Sequence, residues 1–510
     1  MLAAITPADV ERFRAAVEKN IGLQFDDEKL GLLAEVLSRR LESAGGSASG
    51  YLDRLEQEPV KQEASALARE LTVGETYFFR NVEQFHALTE VVLPELLAAQ
   101  STARTLSFLS AGCASGEEPF SLAIAVREQL TDPTWHISIR GVDLNPALLA
   151  RAARARYSPW ALRETTEETR RRWFRDEGRE FALDEQIRAS AQLDERNLAA
   201  DDCELWHPAA YDVVFCRNVL MYFTRDAARE LVGRITRGLA PGGYLFLGHA
   251  ETLRGLSTDY HLLHTHGTFY YQRKKVEERW SPAPIVAPSA SAARPLVALE
   301  TVDWTTSWIE AVQRVSDRIG ALGKRSEGSG DKASRQGAST DARQTADLSL
   351  ALELLGNERF REALDALAQM PNVSVGEDSM LLRAALLTHS GQLLTAQEAC
   401  AALLRLNELS AGAHYLLALC REGLGDYAGA ADHDQIAAYL DPTFAMPRLH
   451  MGLLARREGD HVTLRREFGD ALLLLEREDA GRLLLFGGGF GREALIALCR
   501  AELAAERRAS

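Results

Sequence analysis

From about residue 281 to 345 the chain reads "SPAPIVAPSASAARP" and then "KRSEGSGDKASRQGASTDARQ", and such a stretch divides whatever folds on either side. Pro, Ser, Ala, Gly and charge bury too little apolar surface to offset the entropy of ordering a backbone. One continuous core is therefore excluded for these 510 residues. The reading is a linker over 276–345 with separately folded regions before and after it. One island interrupts it: Trp304, Trp308, Ile309, Val312, Val315, Ile319 and Leu322 recur at steps of three and four. That stripe predicts an amphipathic helix over about 302–322, and a helix so short needs a surface to dock on.

Beyond the linker, 346–510 carries an internal period. Gly391, Gly425 and Gly459 stand 34 residues apart, as do Ala396 and Ala430, in the frames "GQLLTAQ", "GDYAGAA" and "GDHVTLR". A turn glycine followed by a small residue at this period resembles tetratricopeptide repeats, in which paired helices approach closely and each unit buries its face on the next. The resemblance implies an all-α solenoid whose surface binds a protein and supplies no chemistry. Tethering of an enzyme to its substrate is the favoured role, with fold-back autoinhibition as the rival.

Ahead of the linker, two textures follow one another. Residues 1–80 read as short amphipathic helices; Leu30, Leu33, Val36, Leu37 and Leu41 share one face of such a helix. Over 81–275 the short apolar runs "TLSFLS", "HISIRGVD", "YDVVFCRN" and "GGYLFLGH" alternate with helical stretches, the pattern of a largely parallel α/β sheet.

The first of those runs ends in a glycine loop, "AGCASGEEPFSLA". A dinucleotide site would seat pyrophosphate on the following helix N-terminus. Here Glu117 and Glu118 stand there instead, after Gly112 and Gly116, and carboxylates satisfy the amides and the helix dipole themselves. The next run ends in Asp143, where such folds hold ribose hydroxyls, although a helix N-cap would look the same. A phosphate-free loop beside a ribose acid suits a cationic nucleoside, and S-adenosylmethionine fits that description.

"LTVGETYFFRN" (71–81), the glycine loop, "YDVVFCRNVLMYF" (211–223) and "GLAPGGYLFLGHAETL" (238–253) together resemble the chemotaxis receptor methyltransferases, the CheR family, over about residues 1–275. The resemblance implies an N-terminal helical domain joined to a Rossmann-like S-adenosylmethionine-dependent methyltransferase domain, with a small β-subdomain near 157–196. It also implies that glutamates of a methyl-accepting receptor's signalling coiled coil become γ-methyl esters, with S-adenosylhomocysteine as the other product. Carried over by position, Thr76 and Arg80 look like contacts at the cofactor's edge. Glu117 or Glu118 together with Asp143 look like the methionine-end and ribose contacts. Asn197 and Leu198 resemble the segment flanking adenine; Arg217, Asn218 and Tyr222 resemble the active-site strand end. Arg80 is expected to orient the acceptor carboxylate, and Tyr222 to sit near the transferred methyl. Gly74 stands where many family members have Asn, and Ser110 where generic methyltransferase loops carry an acid. Surface ion pairing for Arg80, core packing for Tyr222 and a plain loop role for Asn197 are the structural alternatives. His249 and Glu251 in "GHAET" read as a strand-end turn, and Cys113 and Cys216 as packing.

The totals narrow the rivals. A net charge of -15 opposes nucleic acid as a partner, which needs a basic footprint. Six scattered cysteines without CxxC spacing predict reduced thiols, no disulfide framework and no metal site. No apolar run reaches membrane-spanning length, so a cytoplasmic chain is expected, and the resemblance implies its recruitment to receptors. Residues 1–70 hold 9 Lys and Arg against 13 Asp and Glu, so receptor docking would need a local face such as Arg39 and Arg40. The reading from another class is a non-catalytic cofactor-binding scaffold acting through its repeats; a small-molecule or RNA methyltransferase is a third.

Overall fold

A computed structural model describes residues 5–45, 47–57, 61–72, 74–275, 350–357, 359–368 and 377–509. The expected linker and its 302–322 helix lie outside the described residues. The chain divides into two compact units, Met1–Ala283 and Pro284–Ser510.

The first unit opens with helices α1 (Pro7–Ile21), α2 (Leu30–Ala44), α3 (Ala48–Gln57) and α4 (Lys61–Leu71). Thr6 caps α1 reciprocally with Asp9, and Gly22 ends it at φ +78°, where an L side chain is strained. The predicted stripe forms the core of this layer: Leu33, Val36, Leu37 and Leu41 bury against Phe13, Val17, Leu52 and Leu67. Arg39 and Arg40 do not form a free basic face. Arg40 is bound by Glu63 at 2.7 Å and Arg39 by Glu70 at 2.7 Å.

After α5 (Val82–Ala87), a π-turn (Leu88–Val92) and α6 (Leu93–Ala99), the chain enters the sheet. Its strands are β1 (Thr105–Ala111), β2 (His136–Asp143), β6 (Ala191–Glu195), β7 (Tyr211–Cys216), β8 (Leu239–Leu247), β9 (Tyr260–Thr265) and β10 (Thr268–Arg273). They lie in the order β6-β2-β1-β7-β8-β10-β9, parallel except for the closing β9–β10 hairpin. Helices α7 (Glu117–Gln129), α8 (Pro146–Arg154) and α11 (Arg225–Gly238) link the parallel strands. The central strands are apolar runs because both faces are covered. From β1 the chain proceeds to one side, and after β6 it returns to β7 on the other, so β1 and β7 flank the switch point where such sheets bind ligands.

The small insert is tighter than 157–196. Strands β3 (Arg156–Tyr157), β4 (Phe174–Asp176) and β5 (Phe181–Leu183) form an antiparallel sheet with α9 (Glu167–Trp173) and α10 (Glu185–Ala189) alongside. Residues 191–195 belong instead to the main sheet as β6, since their register against Ile139–Asp143 is parallel and continuous.

The second unit is all helical: α12 (350–356), α13 (Phe360–Ala368), α14 (Glu377–His389), α15 (Leu393–Leu406), α16 (Ala411–Gly423), α17 (Tyr427–Leu440), α18 (Ala445–Glu458), α19 (His461–Leu475), α20 (Ala480–Phe486) and α21 (Arg492–Ala509). The pairs α14/α15, α16/α17 and α18/α19 repeat the predicted step. Gly391, Gly425 and Gly459 turn each pair at φ +76°, +87° and +74°, and Ala363, Ala396 and Ala430 are fully buried where helices meet.

A buried ion cluster lies in this unit. His450, 1% exposed, has Nδ1 2.6 Å from Asp434 Oδ2 and Nε2 3.2 Å from Glu422 Oε2. Burial alone lowers its pKa, but the two carboxylates outweigh that and push it up to about 10. A raised folded-state pKa contributes stability in full below the ordinary histidine value near ~6.5, and that contribution is lost as pH rises through the folded value. His450→Gln should therefore lower the urea midpoint of the helical circular-dichroism transition more at pH 6.5 than at pH 10; equal losses at both would show that the ion contributes nothing.

Candidate functional site

The carboxyl ends of β1, β2, β6 and β7 surround a cavity of about 180 Å³ that helices of the N-terminal layer roof. Of the predicted site residues, Gly112, Asp143, Asn197, Leu198, Asn218 and Tyr222 all line it. The roof comes from Ile21, Leu23, Phe25, Leu71 and Thr72. Backbone and amide bonds hold it down. Gln24 N–H donates to Tyr222 O at 2.7 Å, Leu23 and Phe223 form an antiparallel bridge, and Asn197 Nδ2 donates to Asn20 O at 2.9 Å. Asn145 caps α8 with its Oδ1 while its Nδ2 donates to Thr72 Oγ1 at 3.0 Å.

Asp143 is drawn into the glycine loop. Its Oδ2 accepts from Ala114 N–H at 2.9 Å and its Oδ1 from Asn145 N–H at 2.8 Å. Burial raises its pKa while these backbone hydrogen bonds oppose the rise. A carboxylate offers about four lone-pair sites, so acceptor capacity toward the cavity is left. Gly112 (φ +79°) is required there: a Cβ on it would fall 2.5 Å from Val219 Cγ2.

The two loop glutamates part company. Glu118 turns inward, where its Oε1 accepts from Ser110 Oγ–H at 2.7 Å and its Oε2 lies 3.5 Å from Arg217 Nε. Ser110, standing where generic loops carry an acid, thus supports one from behind. Burial raises the Glu118 pKa, with Arg217, Ser110 and Arg80 pulling it back. Glu117 instead lines a separate cavity of about 470 Å³ with Thr76, Gly74 and Arg151. Its carboxylate accepts from Ser115 Oγ–H at 2.8 Å, and burial raises its pKa too. Gly116 borders neither cavity and lets the loop approach α8, since a Cβ there would meet Ala152 at 2.7 Å. Gly74 has an equally local reason: a Cβ would fall 2.6 Å from Leu148 Cδ1, leaving no room for an asparagine while Leu148 keeps this rotamer.

Arg217 occupies the end of β7 with its side chain 2% exposed. Nη2 donates to Arg80 O and, at 3.0 Å, to Asn81 Oδ1, whereas Nε and Nη1 have no hydrogen-bond acceptor among the described residues. Burial lowers its pKa, Glu118 raises it, and Arg80 lowers it further, which places the two guanidiniums in one electrostatic neighbourhood. Arg80 is half-buried, donates from Nη1 to Glu75 O at 3.2 Å, and makes no ion pair among the described residues. Phe79 (φ +55°), Asn81 (φ +59°) and Asn218 (φ +58°) flank the two arginines in left-handed backbone, a cost such residues bear where the surroundings over-determine it.

Glu251 closes the strand-end turn expected of it, its N–H donating to Gly248 O at 3.0 Å, but the work of its carboxylate was not read from the sequence. It is 4% exposed, and its Oε2 accepts from Asn218 N–H (2.7 Å) and Gly248 N–H (2.8 Å), its Oε1 from Val219 N–H (2.8 Å) and Met221 N–H (3.2 Å). One carboxylate therefore fixes the loop that presents Asn218 and Tyr222. A charged residue between two strand ends in "GHAET" was the available signal, since acids are seldom buried without such partners. Cys113 and Cys216 are fully buried with burial pushing both thiols up, which suits packing.

Asn218 Oδ1 is buried without a hydrogen-bond donor among the described residues, and the cavity wall holds a carboxylate but no buried cation. An orphan acceptor, an acid and an apolar rim fit a nucleoside with donor groups and no phosphate. Residues 74–268 match the family described as CheR methyltransferase, SAM binding domain. The chain is 33% identical over 273 residues to chemotaxis protein methyltransferase 1 of Pseudomonas aeruginosa, covering 52% of this chain and 98% of that one. It is 31% identical over 276 residues to chemotaxis protein methyltransferase 2 of Vibrio cholerae, covering 53% and 95%. A third relative spans the repeats as well: the probable biofilm formation methyltransferase WspC of Pseudomonas putida, 28% identical over 460 residues, covers 89% of this chain and 96% of its own.

Glu251→Gln keeps the shape but replaces one acceptor oxygen by an amine, stranding buried N–H groups at roughly 1–3 kcal/mol each. The variant should melt earlier and bind S-adenosylhomocysteine at least about tenfold more weakly by calorimetry, the equivalent of ~1.4 kcal/mol. Unchanged affinity would free the loop from this carboxylate.

Proposed function

The chain belongs to the CheR methyltransferase family, and from that premise we propose that it methylates glutamate side chains of a chemoreceptor signalling domain, giving γ-methyl esters. The observation that carries this reading is a cavity lined by Asp143 and Asn218, next in the chain to Arg217, whose guanidinium donates to Arg80 O and keeps Nε and Nη1 without an acceptor among the described residues. The cofactor is S-adenosylmethionine. When bound, it supplies a methyl group on a positively charged sulfur, which an ionised carboxylate oxygen accepts to leave S-adenosylhomocysteine.

Asp143 holds the ribose hydroxyls through its remaining lone pairs, and Asn218 Oδ1 accepts from a donor of the same ligand. Leu198 and Asn197 border the base. Glu118 faces the cationic end of the ligand; burial raises its pKa, and its link to Arg217 opposes that rise. Thr76 and Glu117, on the neighbouring cavity, act on the ligand only if the segment 74–76 moves inward when it binds. No residue needs to remove a proton from the acceptor, because a glutamate with a reference pKa of about 4.3 is already a carboxylate at neutral pH. What the chain must contribute is position, and holding two reactants in line is worth roughly 7–11 kcal/mol. Arg80 forks onto the two carboxylate oxygens and Tyr222 closes the other side of the reacting pair.

The repeats bring the enzyme to a second protein, and the chain works in the cytoplasm at receptor assemblies. The length of its likeness to the biofilm-associated relative favours a chemosensory system with an output other than swimming.

Radiolabelled methyl transfer to membranes carrying cognate receptors, with an alkali-labile product, tests the activity; label stable to alkali would exclude an ester. Asp143→Ala should weaken S-adenosylhomocysteine binding by about tenfold or more, as loss of hydrogen bonds to a charged group predicts. Arg80→Lys should lose nearly as much kcat/KM as Arg80→Ala, on the order of 10²-fold, because an ammonium cannot make the planar fork. A lysine variant with near-normal turnover would mean that charge alone mattered.

A further inference from the structure

The repeat unit leaves its own register at Asp479. Helices α14, α16 and α18 begin at Glu377, Ala411 and Ala445, so the next first helix of a pair is due at 479. Asp479 does start one, capping α20 by accepting from Gly481 N–H at 2.9 Å and Arg482 N–H at 3.1 Å. That helix stops after seven residues and crosses the face made by the first helices of the earlier pairs.

Its contacts are those of a docked peptide. The Phe486 ring packs on Tyr415 and Phe444 with centroids 5.9 and 5.0 Å away, and presses on bare backbone at Gly412, where a Cβ would fall 2.7 Å from its Cζ. One turn earlier on the same side, Arg482 binds Asp441 at 2.7 Å and lies 5.1 Å from the centre of the Phe444 ring. Its backbone is held at its end, where His389 Nε2 and Tyr415 Oη reach Leu485 O and Phe486 O at 2.8 and 3.4 Å. Burial lowers the His389 pKa, and because a carbonyl oxygen only accepts, Nε2–H is the donor. Gly487, Gly488 and Gly489 follow, the last two at φ +60° and +83°, before α21 returns to pack on α19.

The fit is incomplete. Between this segment and Leu355, Phe360 and His389 lies a cavity of about 580 Å³. Leu484 points toward it and is 40% exposed. Lining atoms beside a void forgo dispersion contacts that a bulkier side chain would supply.

We propose that residues 479–491 are an internal ligand of the repeats, and that the external partner is a short helical protein segment with an arginine four residues ahead of an aromatic side chain, which binds by displacing it. The anchors are an ion pair and an aromatic ring in a pocket floored by glycine, the helix-in-groove mode of recognition. The glycines let the segment swing out without unfolding α21. Self-occupancy lowers apparent affinity by the fraction of time the groove is free. The inference stands on this unit alone and does not depend on the methyl-transfer reading.

The test uses the full chain and a fluorescent peptide carrying this chain's own residues 477–491. Anisotropy should show weak binding to the unaltered protein and at least about tenfold tighter binding to both the Phe486→Ala and Arg482→Ala chains, whose own segment is loosened. The same peptide with alanine in place of Phe486 should bind none of them. Hydrogen exchange should show 480–489 deprotected in Phe486→Ala while 411–458 stays protected. No gain in either variant, equal binding of the altered peptide, or loss of protection across 411–458 would each overturn the proposal; the last would make the segment part of the repeat core.

Discussion

The antiparallel bridge between Leu23 and Phe223, with Gln24 N–H on Tyr222 O, joins the first helical layer to the segment that follows the central strand β7. Everything proposed for the site depends on that seam. A parallel sheet alone offers an open crevice at its switch point, and here helices from the first 72 residues close it. Gly22 shows how close the approach is: it turns at φ +78° with Phe223 Cε1 2.5 Å from where a Cβ would stand. The layers share one compact unit, so stability of the helical layer and shape of the cavity are coupled.

Buried acids organise the interior of this site. Asp143, Glu118 and Glu251 each take amide or hydroxyl donors, and burial raises the pKa of the first two. Desolvated carboxylates are tolerated because each is held by several donors or a guanidinium. In Asp143 and Glu251 the acid is also the organiser of a loop, a task a phosphate performs in nucleotide-binding folds. The two glutamates at the N-terminus of α7 turn in two directions. Glu118 joins Arg217, and Glu117 stays with Ser115 outside the cavity.

Much of this was legible beforehand. Strand runs, the glycine loop and the 34-residue step are periodic or compositional signals, and each maps onto an element. Gly112, Asp143, Asn197, Leu198, Asn218 and Tyr222 were named from motifs and meet at one cavity. What stayed hidden is long-range. Nothing in "GHAET" says that Glu251 serves amides thirty residues earlier, and nothing local separates Glu117 from Glu118. The 191–195 run could pair with the insert or with β2, and only tertiary register assigns it. Arg39 and Arg40 looked free because their partners, Glu70 and Glu63, sit on another helix.

A solenoid ordinarily lengthens by duplicating a unit, since each repeat needs only its neighbours. This one has a ruler built in. The distance from Asp479 back to the Gly412 pocket is set by how many pairs lie between them, because Phe486 must reach Tyr415 while Arg482 reaches Asp441. An added pair would carry the crossing segment one step past its glycine-floored pocket, and a lost pair would strand it. Duplication, the cheapest route by which repeat arrays diverge, is thereby closed to the pairs between α16 and α19 as long as the crossing is kept.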